Sequence, residues 1–170
     1  DELAALGPFA FAWASPECRV YSIANLHSRH FKDGVPITDE ARAQNERVKY
    51  TLYLLENLAP LWVVENPRGM LRTQLFMNSY PRVTITYCQY GDHRMKPTDL
   101  WGKFPMTWHP RPMCSPGDSC HVSSPRGAAK GTQNQSRQQR IQVPYELGQS
   151  LYDALLESRK TWPTLELWTV

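Results

Sequence analysis

Two side chains that could act as a nucleophile and as an acid or base follow short apolar runs of this 170-residue sequence. Cys18 follows residues 9–14 after a brief polar link, and Glu65 directly follows residues 61–64. Short apolar runs bounded by proline and polar residues are typical of buried strands. Because chemistry in an open α/β sheet takes place at the carboxyl ends of its strands, we predict that this thiol and this carboxylate lie at one edge of a sheet. They are the groups that covalent and acid–base catalysis use.

A helix must connect these two strands. Thr38 is a suitable N-cap, and Asp39 and Glu40 suit the positive end of the helix dipole. Apolar residues recur at intervals of four, three and four, at Val48, Leu52, Leu55 and Ala59. Pro60 ends the helix, and a strand, a helix and a second strand in this order predict two parallel strands.

The rest of the sequence predicts three further elements around this unit. We expect a short helix from Pro67 to about Met77, whose Arg68 or Arg72 could face a phosphate, and a third strand over 82–88. Another helix begins at Pro144 and ends near residue 158. Together these elements predict an α/β fold with a mostly parallel sheet, helices on its faces and an irregular basic insertion.

Composition places the chain among ordinary soluble domains. Its length suits one domain, and a formal net charge of +3 permits nucleic-acid binding without requiring it. The four cysteines could form two disulfides in a secreted protein. However, we expect neither a signal peptide nor a membrane span, because the apolar runs are too short. A reducing cytoplasm with free or metal-bound thiols is therefore the expected location.

Four motifs combine in one order along the chain. They are Ser15-Pro16-Glu17-Cys18, Glu65-Asn66-Pro67, Tyr87-Cys88-Gln89-Tyr90-Gly91 and Lys96-Pro97-Thr98-Asp99-Leu100-Trp101. This combination resembles the DNA cytosine-5 methyltransferase family, in particular its compact phage-type branch. The resemblance extends from Phe9 to about Leu155 and implies a partial Rossmann-like methyltransferase sheet in a bacterial or phage-infected cell.

The resemblance also implies the reaction. Cys18 would be the nucleophile that adds to C6 of a cytosine flipped out of double-stranded DNA. Glu65 would hold N3 of that base, and Asn66 would orient the carboxylate. Arg19 could lower the pKa of the thiol, whereas the neighbouring Glu17 should raise it. S-adenosylmethionine would be the methyl donor, with cofactor contacts expected from Asp1, Pro16, Val143 and Pro144.

DNA would be held mainly by basic loops. Residues 19–38 would close over the DNA, and the irregular segment 105–142 would add contacts to a catalytic core formed by 1–104 and completed by the helix and tail of 143–170. The predicted DNA-binding residues are Arg19, Ser22, Arg29, Arg94, Lys96, Arg126 and Lys130. Ordinary solvated or disordered loops would have a similar composition.

The family's Phe-x-Gly-x-Gly cofactor loop has no counterpart, because the sequence begins at Asp1, shortly before the first strand. We therefore expect a second chain or an upstream segment to complete the cofactor site. One alternative is half of a split enzyme, and another is a catalytically inactive DNA-binding or interaction module. A third is an unrelated cysteine hydrolase that uses Cys18 with His27 or His93.

A separate group of residues has the donor atoms of a zinc site. Cys114, Cys120 and His121, with His109 or Cys88 as a fourth ligand, could hold the ion. Their spacing matches none of the common Cys-x-x-Cys knuckles. Free thiols and a hydrogen-bonded histidine are the competing interpretation.

Overall fold

The computed structural model describes residues 7–22, 30–122 and 137–161. Within these ranges the chain forms six strands and three α-helices, joined by short 3-10 turns. The elements are β1 (Ala12–Ala14), β2 (Phe31–Lys32), β3 (Val35–Pro36), α1 (Asp39–Leu58), β4 (Trp62–Pro67), β5 (Arg82–Thr86), β6 (Pro97–Lys103), α2 (Arg137–Ile141) and α3 (Tyr145–Thr161).

Four of these strands form one sheet in the order β1-β4-β6-β5. β1 and β4 are parallel, with Ala14 opposite Val64, which confirms the predicted unit of two strands and a helix. β6 runs antiparallel to both β4 and β5. The predicted α/β class is therefore confirmed, but the prediction of a mostly parallel sheet is wrong for the strand pairing, since two of its three ladders are antiparallel. β2 and β3 form a separate antiparallel hairpin.

Pairing with β6 places Glu65, the candidate acid, inside a strand, whereas the sequence predicted it after the end of one. β6 pairs with every residue of β4, so that Glu65 lies opposite Leu100 and Asn66 lies opposite Asp99. β4 consequently continues to Pro67, and Glu65 and Asn66 lie inside the strand rather than after it. A neighbouring strand that supplies hydrogen-bond partners extends a strand beyond its apolar run.

The two long helices cover opposite faces of the sheet. On one face, the apolar stripe of α1 packs against alternate residues of β4; this core includes Val48, Leu52, Leu55, Trp62 and Val64. On the other face, α3 packs against the intervening residues; this core includes Val63, Ile85, Leu100, Leu147 and Leu151. Because successive strand residues point to opposite faces, both cores use the same strands.

Both helices begin as predicted. Thr38 caps α1, and its Oγ1 accepts a hydrogen bond from the backbone N of Ala41 at 3.2 Å. α3 begins directly after Pro144 and continues to Thr161, three residues beyond the predicted end. Helix ends are weakly defined by sequence when neither glycine nor proline follows at once.

The segment after β4 differs from the predicted helix. It forms two 3-10 turns, Met70–Thr73 and Leu75–Met77. Arg72 does not face outward toward a phosphate; its Nε donates to Oδ2 of the fully buried Asp99 at 2.9 Å. Thr84 Oγ1 also donates to Asp99, at 2.7 Å, so the buried charge is both paired and hydrogen-bonded.

Residues 105–122 form neither a helix nor a strand, as expected for the insertion, but the short helix α2 (Arg137–Ile141) lies inside the segment 105–142 that was expected to be irregular. They pack against α3 through specific contacts. Thr107 Oγ1 donates to the carbonyl of Ala154 at 2.9 Å, and Trp108 Nε1 donates to Ser150 Oγ at 3.1 Å. In the described ranges, no helix combines the length and apolar character required to cross a bilayer.

Candidate active site

The thiol of Cys18 lies in the loop that follows β1. Cys18 is partly buried and directly precedes a 3-10 turn at Arg19–Tyr21, and its carbonyl accepts a hydrogen bond from the backbone N of Tyr21 at 3.0 Å. Since β1 and β4 are adjacent and parallel, this loop emerges at the edge of the sheet toward which Glu65 and Asn66 lie. The thiol is thus at the strand end that the sequence predicted.

The carboxylate of Glu65 is 5% exposed and is held by a tyrosine. The hydroxyl of Tyr87, at the start of the 3-10 turn after β5, donates to Glu65 Oε1 at 2.8 Å. Burial and the neighbouring carboxylate raise the pKa of Tyr87, so the hydroxyl remains a donor at neutral pH.

Asn66 connects β4 with the loop that follows β1. Its side chain is completely buried, and Nδ2 donates to the backbone carbonyl of Pro16 at 3.0 Å. Asn66 therefore holds the loop that carries Cys18 against the strand that carries Glu65. A buried hydrogen bond from a side-chain amide restrains the loop, because losing this bond would leave a donor and an acceptor unsatisfied.

Gly69 makes a second connection between the same loops. Its backbone forms an isolated antiparallel bridge with Ser22. A Cβ atom added at Gly69 would lie 2.2 Å from the backbone oxygen of Tyr21, a separation that no side chain tolerates. Glycine is required here by this close approach and not by its dihedral angles, since its φ of −171° is open to any residue.

Gly69→Ala should therefore destabilise the fold by about 2 kcal/mol or more, because either the Cys18 loop or the segment after β4 must move. Urea unfolding measures this change. Gly148→Ala is the matched control: no atom lies within 4 Å of the added Cβ, and alanine favours the helix α3 in which Gly148 lies. Equal stability of the wild type and Gly69→Ala would show that the two loops do not approach as described.

Lys96 adds a cation to this site. Its Nζ lies 4.4 Å from the centroid of the Tyr87 ring. Burial raises the pKa of Cys18; the charge of Lys96 opposes this, and the charge of Glu65 adds to it. Burial lowers the pKa of Lys96, and Glu65 and Cys18 both counteract that change. The thiol, the carboxylate and the ammonium group thus lie within electrostatic range of one another, and together with Tyr87 they form what we call the Cys18 site.

Lys96, and not the predicted Arg19, is the cation whose charge lowers the pKa of Cys18 most. Arg19 instead forms an ion pair with Glu40 and a longer contact with Glu17 at 3.4 Å, and its side chain is 67% exposed. Lys96 reaches the thiol from the segment between β5 and β6. Because the pairing of β6 with β4 places this segment, no local pattern around Cys18 could have identified it.

Lys96→Met should raise the pKa of Cys18 further, since the nearby positive charge favours the thiolate. Alkylation of Cys18 by iodoacetamide at neutral pH should then slow severalfold, and its pH profile should move to higher pH. Peptide mass spectrometry after timed quenching measures the rate. Lys103→Met removes an exposed lysine at the far end of β6 and should leave the profile unchanged. Identical profiles for the wild type and Lys96→Met would exclude the proposed coupling.

Arg94, another predicted DNA contact, is 8% exposed and already has partners. It forms an ion pair with Asp92, and its Nη1 donates to the carbonyl of Gln139 at 3.0 Å. Nη2 lies 3.4 Å from the carbonyl of Gln142. The contacts of Arg94 hold the segment before α3 beside the Cys18 site, while its contact with DNA stays a prediction.

Two of the predicted cofactor residues share a cavity. Val143 and Pro144 line an open cavity of about 400 Å³ together with Trp13 of β1 and residues of α3. Pro16 is not among the lining residues; its carbonyl accepts the hydrogen bond from Asn66. The remaining predicted residues fall outside the described part of the chain: Asp1, Arg29, Arg126 and Lys130.

The candidate metal ligands form a separate cluster. Cys88, Cys114, Cys120 and His121 have their ligand atoms within 4.8 Å of one another, an arrangement that could hold a metal ion. Of the two proposed fourth ligands, the cluster contains Cys88, whereas His109 is exposed and is not part of it. Cys88 lies in the turn that begins with Tyr87, so this cluster neighbours the Cys18 site.

Comparison with known proteins leaves the family open. No protein-family model and no curated protein matches this chain. The function must therefore be inferred from the chemistry and geometry of the residues themselves.

Proposed function

We propose that the Cys18 site is the catalytic centre of a DNA cytosine-5 methyltransferase. The observation that carries this proposal is the electrostatic coupling of a thiol in the loop after β1 with a buried carboxylate in the carboxyl half of β4, the adjacent parallel strand. Covalent attack on a pyrimidine requires this pair, because the ring must be activated by a nucleophile and stabilised by an acid. The four motifs that resemble the family contain both residues.

In the proposed reaction, Sγ of Cys18 forms a bond to C6 of a cytosine that has left the DNA helix. Glu65, in its protonated form, donates a hydrogen bond to N3 and stabilises the charge that moves into the ring. C5 becomes nucleophilic enough to take the methyl group that S-adenosylmethionine supplies. Loss of the C5 proton to a base and cleavage of the bond between Sγ and C6 then restore an aromatic, methylated ring.

Each remaining member of the site supports one of these steps. Tyr87 donates to Oε1 of Glu65 and so fixes the orientation of the carboxyl group that would meet N3 of the base. Lys96 favours the thiolate of Cys18 in a loop where burial opposes it. Asn66 holds the loop that carries Cys18 in a fixed position relative to Glu65. These are positioning and electrostatic roles around the two catalytic residues.

The cavity beside Trp13 supports the choice of methyl donor. Its lining is mainly apolar and includes the aromatic rings of Trp13 and Tyr152, against which an adenine ring can pack. Trp13 belongs to β1, the strand that leads to Cys18. A methyl donor bound there would lie against β1, the strand that leads to the Cys18 loop.

The proposed methyl transfer also requires Cys18 to be a reduced thiol, as it would be in the cytoplasm.

The competing proposal is a catalytically inactive module that retains DNA binding or an interaction surface. The raised pKa of Cys18 favours it, since the thiol form is a poor nucleophile. The buried Glu65 with its tyrosine donor favours an active site, because DNA binding alone gives no reason to bury a carboxylate in the sheet.

A metal ion held by Cys88, Cys114, Cys120 and His121 would not take part in catalysis, since four protein ligands leave no open coordination position.

Trapping with 5-fluorocytosine DNA tests the proposal. In the presence of S-adenosylmethionine, fluorine at C5 prevents the final proton loss, so the enzyme should remain bound covalently to the DNA. A denaturing gel detects the adduct, and peptide mass spectrometry should locate it at Cys18. A second duplex carrying 2-pyrimidinone, whose C6 accepts a thiol without methyl transfer, separates failure of the nucleophile from weak donor binding. An adduct at another residue, or none with either duplex, would contradict the proposal.

A further inference from the structure

Three thiols and one imidazole meet at the end of β5, outside the Cys18 site. Cys88 belongs to the turn Tyr87–Tyr90, and the other three residues belong to the irregular segment 105–122. The Sγ atom of Cys88 lies 3.1 Å from that of Cys114 and 3.6 Å from that of Cys120. Nδ1 of His121 lies 3.7 Å from Cys114 Sγ and 3.5 Å from Cys120 Sγ.

We propose that this cluster is a structural Zn²⁺ site whose ligands are three cysteine thiolates and Nδ1 of His121. A tetrahedral zinc ion with bonds of about 2.3 Å to sulfur and about 2.0 Å to nitrogen holds its ligand atoms roughly 3.5 to 3.8 Å apart. Three of the four distances given above, at 3.5, 3.6 and 3.7 Å, lie within that range, and the fourth, between Cys88 and Cys114, is shorter at 3.1 Å. Three thiolates and an imidazole are a common ligand set of structural zinc and suit no hard, oxygen-preferring cation.

The surroundings of the cluster hold its ligands in place. The amide Nε2 of Gln89 donates to Cys120 Sγ at 3.5 Å, as expected for a group that supports a metal-bound thiolate. The backbone N of Cys114 donates to Thr86 Oγ1 at 3.1 Å. Beyond His121, the backbone N of Val122 donates to the carbonyl of His93 at 2.9 Å. The segment is thus held at its first ligand by the last residue of β5, and just beyond its last ligand by the residues that follow the turn Tyr87–Tyr90.

A zinc ion here would connect the insertion to the catalytic region. Cys88 directly follows Tyr87, whose hydroxyl holds Glu65, so the ion would fix the turn that presents this hydroxyl. The same ion would fix residues 105–122, which also pack on α3. Its role is to stabilise this junction, and the proposal stands whether or not the protein transfers methyl groups.

Metal analysis of the purified chain tests the site. Plasma mass spectrometry should find about one zinc per chain after dialysis. Cys120→Ser and His121→Ala change the two less buried ligands and should reduce the zinc content at least about tenfold. Cys18→Ser and His109→Ala remove a thiol and an imidazole outside the cluster and should leave it unchanged. Circular dichroism verifies that each variant is folded.

Two further measurements use the metal alone as the probe. Co²⁺ bound in place of zinc should show the thiolate charge-transfer and intense visible bands of a tetrahedral site, and both should be lost in Cys120→Ser. Chelation of zinc should lower the melting temperature by about 5 °C or more, whereas it should leave that of Cys120→Ser unchanged. Folded wild-type protein that retains no zinc after reconstitution, equal zinc in Cys120→Ser, or a disulfide between Cys88 and Cys114 in protein purified under reducing conditions would overturn the proposal.

Discussion

Cys18→Ser should reduce methyl transfer to cytosine by at least about 1000-fold and abolish the covalent adduct with both trapping duplexes. A serine hydroxyl has nearly the same size as the thiol but is far less acidic, so it cannot supply the anion that attacks C6. The loss should appear in kcat and in the adduct yield. Binding of unmodified DNA should remain within about twofold, because no contact with the phosphates is removed. Methyl-transfer kinetics, denaturing gels and fluorescence anisotropy provide these values.

Glu17→Gln is the control for disturbance of the nucleophile loop. Glu17 is exposed, and its charge raises the pKa of the neighbouring thiol. Removing that charge should therefore preserve or slightly increase the rate. If Cys18→Ser still forms an adduct, the nucleophile lies elsewhere. If the wild type forms none with either duplex, the inactive module becomes the better description.

Glu65→Gln should lower kcat for methyl transfer by about 100-fold or more. Glutamine keeps the shape of the side chain and an oxygen that can accept the hydrogen bond from Tyr87, so the fold should survive. It can donate a hydrogen bond to N3 but cannot transfer a proton to it. The 2-pyrimidinone adduct should form more slowly than in the wild type, because the acid assists addition at C6.

Two further variants distinguish an effect of Glu65→Gln on the methyl-transfer rate from an effect on stability. Glu46→Gln, on the exposed face of α1, removes a carboxylate far from the site and should leave the rate unchanged. Glu65→Ala leaves the Tyr87 hydroxyl without its acceptor and should also lower stability, by about 1 to 3 kcal/mol in urea unfolding. Full activity of Glu65→Gln would remove the carboxylate from the mechanism.

In the proposed reaction Cys18 and Glu65 would act together, because the loop that carries Cys18 is held against β4, the strand that contains Glu65. Asn66 donates a hydrogen bond to the carbonyl of Pro16, and Gly69 lets the backbone of Tyr21, which follows Cys18, come close to the segment after β4. Neither contact involves a reacting atom. Both restrict the position of the nucleophile relative to the acid, and a displacement of about 1 Å can already cost a large factor in rate.

The elements that were predicted correctly are those with strong local signals. α1 has a capping threonine, an acidic first turn and one apolar stripe, and each of these can be recognised within a few residues. The parallel pairing of β1 and β4 then follows from the helix between them. β6 was missed, because its few apolar residues lie between a proline and a glycine and acquire their strand structure from pairing with β4 and β5.

The amino-acid sequence was sufficient to place Cys18 after one strand and Glu65 in the carboxyl half of the neighbouring parallel strand, and to identify three of the four candidate metal ligands. It was not sufficient to name Tyr87 as the donor to Glu65 or Lys96 as the cation near the thiol, or to choose Cys88 over His109 as the fourth candidate ligand. These partners come from segments distant along the chain, and they meet because β6 folds back between β4 and β5. Periodicity and capping act over a few residues, whereas the neighbours of a buried charge are set by the packing of the whole sheet.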